Sequence, residues 1–395
     1  MKIFLILLLS TSFTFNLLGQ TEIKTIDKAD SLINNKKYNS AFTILEHFDP
    51  SNDKPNIVLL KEKIALNYFV MSIMHQIFSF KDIKENENIM EYRGKQGSSD
   101  LHYFKIDSVL NRLIKIYPND CNLYKGLANY YYQVYLCYGN KWINNENEIF
   151  KLIAKNDKKV IDNNCANYLT YYVMGFISLS NKEYKKAIPF FLKSIKMDEN
   201  NADANYNIAY AYLYTNDRTQ ALIYAKKSLG LYTDTTNKSD AARMIGEIYK
   251  ELNNNMDAIK YYELANQIQP NNYYNIKPLL NLYIQTNNKN SKNLIQVFFD
   301  LDPTNPTIYN DLEAIFDGNG EDSLLTKFYK AQLTQYKDSA IVNGNINFYL
   351  GRITLSSNKN EAKKYFLTAK QIFKKIYTSD NQVFKAIDAE IKQTN

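Results

Sequence analysis

Three histidines, three cysteines and two glycine clusters are the side chains of this sequence best suited to chemistry. Metal binding or nucleophilic catalysis needs His, Cys or carboxylate groups at fixed spacing, with a base held against a nucleophile by rigid neighbours. His47, His75 and His102 are isolated from one another, and neither an HExxH nor a GxSxG order is present. The many carboxylates lie along helix-like stretches and read as solvated faces. Cys121, Cys137 and Cys165 form no CxxC pair and share no metal-ligand spacing with the histidines. In an oxidising compartment one pair could close. If Cys121 and Cys137 share a helix, the 1.5 Å rise per residue separates them by about 24 Å, which leaves a bridge to Cys165. The alternative is three small buried thiols. Glu91–Asp100, with Gly94, Gly97, Ser98 and Ser99, reads as a flexible loop between two long helices and lacks the order of a phosphate loop. Gly318–Gly320 reads as a turn. These residues predict a protein that is not an enzyme, holds no metal and takes no cofactor.

The elements that could position such residues are helices. With 12 glycines and 8 prolines in 395 residues there is little material for the many tight turns of sheet proteins. The length suits two or three domains, or one extended array in which each unit packs on its neighbours. Lys2, the apolar stretch Ile3–Leu9, and the more polar run to Leu18, Gly19 and Gln20 read as a secretory signal peptide over 1–20, cleaved after Gln20. The stretch falls short of the roughly 20 apolar residues that span a bilayer. An exported chain in the periplasm, in the cell envelope or outside the cell is expected. Ile64–Phe80, apolar but interrupted by Asn67, His75 and Gln76, reads as a buried core helix, so the mature chain is expected to have no integral membrane span. The net charge of +7 becomes +6 without Lys2, and basic residues alternate with acidic ones. Nucleic acid is therefore not expected as a partner.

Alanines 187, 221 and 258 lie 34 and 37 residues apart, each followed by a second helix-like pattern. Unit 168–201 carries Tyr171, Met174, Gly175, Ala187 and Phe191. Unit 202–235 carries Ile208, Ala209, Tyr212 and Ala221, with Ala225 where an aromatic would be usual. Unit 239–272, after a three-residue insertion, carries Gly246, Tyr249, Ala258, Tyr262, Ala265 and Pro270. This 34-residue helix-turn-helix period resembles the tetratricopeptide repeat. The resemblance implies an all-α, right-handed superhelical solenoid. In it the small residues Gly175, Ala209 and Gly246 face Ala187, Ala221 and Ala258 where the two helices meet. Residues 273–305 form a degenerate fourth unit with Lys292 at the small position. Residues 306–395 hold weaker repeats, a recognisable unit near Asn343–Tyr377 and a closing helix at Asn381–Lys392. Residues 21–164 form an N-terminal helical region with degenerate units, and the array proper spans 165–305.

The resemblance also implies a concave groove lined from fixed positions of the first helices. Carried over, these are Leu169, Tyr172, Phe176 and Leu179; then Tyr206, Tyr210, Leu213 and Tyr214; then Arg243, Glu247, Lys250 and Glu251; then Lys277 and Asn281. The groove would run from an aromatic half to a charged half and suit a peptide or helix of a partner protein. A competing reading packs the tyrosines beneath neighbouring N-terminal helices. A glycan of the cell envelope is the alternative ligand, because tyrosines stack on sugars. Lys277 and Asn281 resemble the start of a carboxylate clamp whose remaining members are missing.

Overall fold

The computed structural model describes residues 21–95 and 100–395. The leader expected at 1–20, and Gly97, Ser98 and Ser99 of the expected loop, lie outside them. The chain divides into two compact units, Met1–Glu199 and Asn200–Asn395. The division falls after the first regular repeat.

In the first unit, residues 21–34 are helical (α1). They are followed by α2 (Tyr38–Phe48), α3 (Pro55–Asn67), a small antiparallel sheet, α4 (Ile106–Ile116), α5 (Cys121–Tyr138), α6 (Glu146–Asp162), α7 (Tyr168–Ser180) and α8 (Tyr184–Met197). The sheet corrects the helix expected over Ile64–Phe80. Strand β1 (Met71–Ile73) pairs with β2 (Ile77–Ser79) in the register Met71↔Ser79, and β2 pairs with β3 (His102–Tyr103) in the register Phe78↔His102. Helix α3 stops at Asn67. The chain then reverses through Met74 and His75, both with left-handed φ, at 50° and 52°. What holds this reversal comes from far along the chain. Trp142 Nε1 donates to the Met74 carbonyl at 2.7 Å, the Tyr130 hydroxyl donates to the His75 carbonyl, and the Tyr138 hydroxyl meets His75 Nδ1 at 3.1 Å. Buried carbonyls need such donors, and no local pattern announces them. The stretch expected as a loop, 91–100, is flanked by a 3₁₀ turn at Ile89–Tyr92 and by β3 instead of two long helices, and its described residues 93–95 are turn and bend.

The second unit is a succession of antiparallel helix pairs: α9 (Ala202–Tyr214) with α10 (Arg218–Leu231), α11 (Thr235–Glu251) with α12 (Asn255–Ile268), and α13 (Tyr273–Gln285) with α14 (Ser291–Asp300). After these come α15 (Pro306–Asp317) with α16 (Asp322–Gln335), α17 (Ala340–Thr354) with α18 (Lys359–Phe373), and the closing α19 (Gln382–Gln393). The turn within each of the first pairs has one construction. A residue with left-handed φ, Asn216, Asn253 or Asn287 (Lys182 in the first unit), sits between the helices. Asparagine tolerates that region better than most residues. In two of these turns the next residue, Asp217 or Asn254, then caps the second helix by accepting the N–H of Gln220 or Asp257. The three residues that looked inserted ahead of 239 lengthen α11 by most of a turn, starting from the Asp234 cap.

The crossing is built differently from the expected glycine-on-alanine contact. A Cβ at Gly175 would stand 2.8 Å from the Phe191 ring, one at Gly246 would stand 2.9 Å from the Tyr262 ring, and one at Gly351 would stand 2.5 Å from the Phe366 ring. Each glycine therefore seats the aromatic four residues beyond the small alanine. Ala187, Ala221 and Ala258 are themselves fully buried. The exception explains itself, because in unit 202–235 the glycine is Ala209 and the aromatic is Ala225, so each size change offsets the other.

Candidate functional site

The groove residues carried over from the repeat pattern separate into two groups. Leu169, Tyr172 and Phe176 on α7 are half-buried and pack against the core of the first unit. The Phe176 ring lies 5.7 Å from Tyr135, 6.0 Å from Tyr132 and 6.4 Å from Phe150, and Tyr172 lies 6.5 Å from Tyr132. These aromatics are packing between α7 and the pair α5–α6, as the competing reading expected.

In the second unit, Tyr206 on α9 is half-buried against Tyr232, with ring centroids 6.2 Å apart. Burial raises its hydroxyl pKa, while the nearby Arg243 pulls it back and Asp240 and Glu247 push it further up. The Tyr210 and Tyr214 rings lie 4.6 Å apart, tilted by 37°, and Tyr214 is exposed. Leu213 is buried.

One turn further along the array, α11 presents Arg243, Glu247, Lys250 and Glu251 to a cavity of about 390 Å³, closed by Tyr262, Tyr274 and Pro278. Burial works most strongly against the charge of Arg243, but its hydrogen bond to Asp240 at 2.9 Å and the electrostatic pull of Asp240, Tyr206 and Glu247 together outweigh this and leave its pKa raised. Arg243 Nε is buried with no acceptor. Glu251 is tied to Arg218 of α10 at 2.8 Å. Glu247 and Lys250 are exposed and form no ion pair among the described residues. Tyr262 and Pro278 come from positions outside the groove pattern, whereas Tyr274 holds in unit 273–305 the position that Leu169 holds in unit 168–201 and was passed over. That repeat position was the available signal, and the structure leaves the Tyr274 side chain exposed.

Lys277 and Asn281 on α13 are engaged by α15 and the turn that follows it. Lys277 Nζ bonds Asp311 at 2.6 Å, which holds its pKa up, and Asn319 donates to Asn281 Oδ1 at 3.0 Å. The start of the clamp is thus internal packing. The histidines also acquire partners. His75 Nδ1 meets the Ser72 hydroxyl at 2.8 Å within a ring of Phe69, Phe78 and Tyr138, and burial lowers its pKa to about 4. His102 bonds Glu46 at 2.9 Å. Neither lines the α11–α13 cavity. Among the described residues no group of three or more His, Cys, Asp or Glu could hold a metal ion, and no helix is long and apolar enough to cross a membrane.

Comparison with known proteins places this geometry in context. The family model "Tetratricopeptide repeat" matches residues 168–201, 202–235 and 244–272. Anaphase-promoting complex subunit 3 of Schizosaccharomyces pombe is 23% identical over 173 residues, 44% of this chain and 24% of that protein. The chain thus spans about a quarter of that relative's length. Among solved structures, a tetratricopeptide repeat protein from Parabacteroides merdae is similar at 16% identity and TM-score 0.42, covering 69% of this chain and 98% of its own. YrrB, described as a TPR protein with an unusual peptide-binding site, is similar at 17% identity and TM-score 0.37, covering 44% of this chain and 81% of its own.

Proposed function

We propose, from the premise that this chain is built on tetratricopeptide repeats, that it is an exported, non-catalytic scaffold. In this reading the scaffold holds a peptide or helix of a partner protein against α11 and α13. The observation that carries the reading is the α11–α13 cavity. There, charges of both signs, an exposed tyrosine ring and a buried N–H without an acceptor face one space. Unpaired Glu247 and Lys250 suit a segment carrying both a basic and an acidic residue, and Tyr274 offers a flat apolar anchor beside them. Export is supported by the leader pattern at 1–20 and by the pairing of Cys121 with Cys165, which suits an oxidising compartment.

The test is photo-crosslinking from position 274 of the tagged protein in its native envelope. One protein should be captured in stoichiometric amount, and the double variant Glu247→Lys with Lys250→Ala, still folded, should reduce capture about tenfold. Undiminished capture would remove the cavity from the reading. Absence of any protein partner would turn the question to envelope glycans.

A further inference from the structure

A second cavity, about 530 Å³, lies wholly within the first unit, walled by one face each of α3, α5 and α7 and by a single residue of α6. Two carboxylates reach it, and both are almost without solvent exposure: Glu62 of α3 at 4% and Asp157 of α6 at 3%. Glu62 accepts one hydrogen bond, from Asn129 at 3.3 Å. Asp157 has neither a hydrogen bond nor an ion pair among the described residues. Buried carboxylates ordinarily find partners, because an unmatched one is costly to desolvate.

The site has also been cut to receive them. A Cβ at Gly126, in the middle of α5, would stand 2.5 Å from Glu62 Oε2. The helix therefore carries a glycine at this point to leave room for the carboxylate.

The charged groups facing the cavity are Glu62 and Lys63 from α3, Lys125 from α5 and Asp157 from α6. Helix α7 brings only uncharged side chains. Lys63 is half-exposed at the rim and lies 3.8 Å from Asp30. Lys125 is half-buried and has no acceptor among the described residues.

We propose that this cavity binds a small polar amine, its ammonium group held by the unmatched Asp157 and its other polar groups met by Glu62, Asn129 and Lys125. An ammonium offers three donors and one charge, which an unmatched carboxylate and the amide oxygens of the lining can satisfy. A divalent cation is disfavoured by the two lysines beside the cavity and by the absence, among the described residues, of three or more His, Cys, Asp or Glu gathered to hold one. Burial holds Glu62 near pKa 7, against a weaker pull from Asn129, and Asp157 near 8, so in the empty site at neutral pH Asp157 is largely protonated and Glu62 about half so. An arriving ammonium favours their ionised forms, and binding therefore releases protons.

Calorimetric titration of the full chain with L-lysine, putrescine and glucosamine, at pH 7 in phosphate and in Tris, tests this. At least one of the three should give saturable heat whose size depends on the buffer, the mark of proton release. Asp157→Asn and Glu62→Gln should each weaken binding about tenfold or more. Asp157→Asn should also raise the melting temperature of the ligand-free protein, because it removes an unmatched buried acid. Absence of saturable heat with all three amines would overturn the proposal, and so would affinity unchanged in both variants. A lower ligand-free melting temperature for Asp157→Asn would show that the carboxylate supports the fold instead.

Discussion

A glycine inside a helix costs about 1 kcal/mol relative to alanine, so Gly175 and Gly246 need a compensating contact, and the rings of Phe191 and Tyr262 supply it. Gly246→Ala should destabilise the protein by about 1–3 kcal/mol in urea denaturation, because the new methyl overpacks the Tyr262 ring. Gly230→Ala is the control. It lies in α10 with open space around it and should stabilise by about 0.5–1 kcal/mol. The sequence showed that these positions are small, but not what they face. The helix crossing brings Gly246 onto the residue four beyond the alanine, and only the interhelical geometry reveals that. Two buried acids give a further residue-scale prediction. Asp157 and Glu62 have folded pKa values of about 8 and about 7, raised by burial from an ordinary carboxylate value of about 4. Between these limits the folded chain binds more protons than the unfolded one, so stability should fall as pH rises from about 4 to about 8. In Asp157→Asn the slope of melting temperature against pH should flatten, mainly above pH 5; an unchanged slope would contradict the assignment.

At the scale of elements, the pair α13–α14 shows how a repeat survives the loss of its signature. The turn between these helices, 286–290, is two residues longer than the three-residue turns of the regular pairs. The fourth residue of the second helix, occupied by Ala187, Ala221 and Ala258 in the other pairs, is therefore Leu294. Lys292, expected there from fixed spacing, is exposed. Leu294→Ala should cost about 2–3 kcal/mol by chemical denaturation, whereas Lys292→Ala should stay within about 0.5 kcal/mol. Fixed spacing failed because register is kept by turn length as well as by residue count. Polar side chains also link elements that sequence reading treats as separate. Asn275 on α13 is fully buried and donates to Ser239 Oγ of α11 at 2.9 Å and to the Ala265 carbonyl of α12 at 3.1 Å. Asn275→Ala should cost about 1–3 kcal/mol, since it strips a donor from two buried acceptors at once. Abundant asparagine looked like compositional bias, yet Asn167, Asn201, Asn254, Asn272, Asn305 and Asn358 each cap a helix.

Over the whole molecule, the cysteines connect sequence to compartment. Cys121 and Cys165 are bonded, with Cα atoms 6.6 Å apart, and Cys137 is exposed and free. Thiol titration of the denatured, unreduced protein should give one reactive group, rising to three after reduction; three before reduction would exclude the bridge. The sequence by itself determined the all-α repeat class and the boundaries of units 168–201 and 202–235. Helical periodicity, small residues and turn asparagines are local signals repeated at a fixed interval, and they add up along the chain. The tertiary structure alone decided the hairpin at Met71–Ser79, because the side chains that hold it, Trp142, Tyr130 and Tyr138, lie more than 50 residues away. It also decided which aromatics are core. Tyr172 and Tyr214 both fall at groove positions of the repeat, yet Tyr172 meets the rings of α5 while Tyr214 stays exposed. Burial is a property of what lies opposite, and a single strand of sequence does not carry that information.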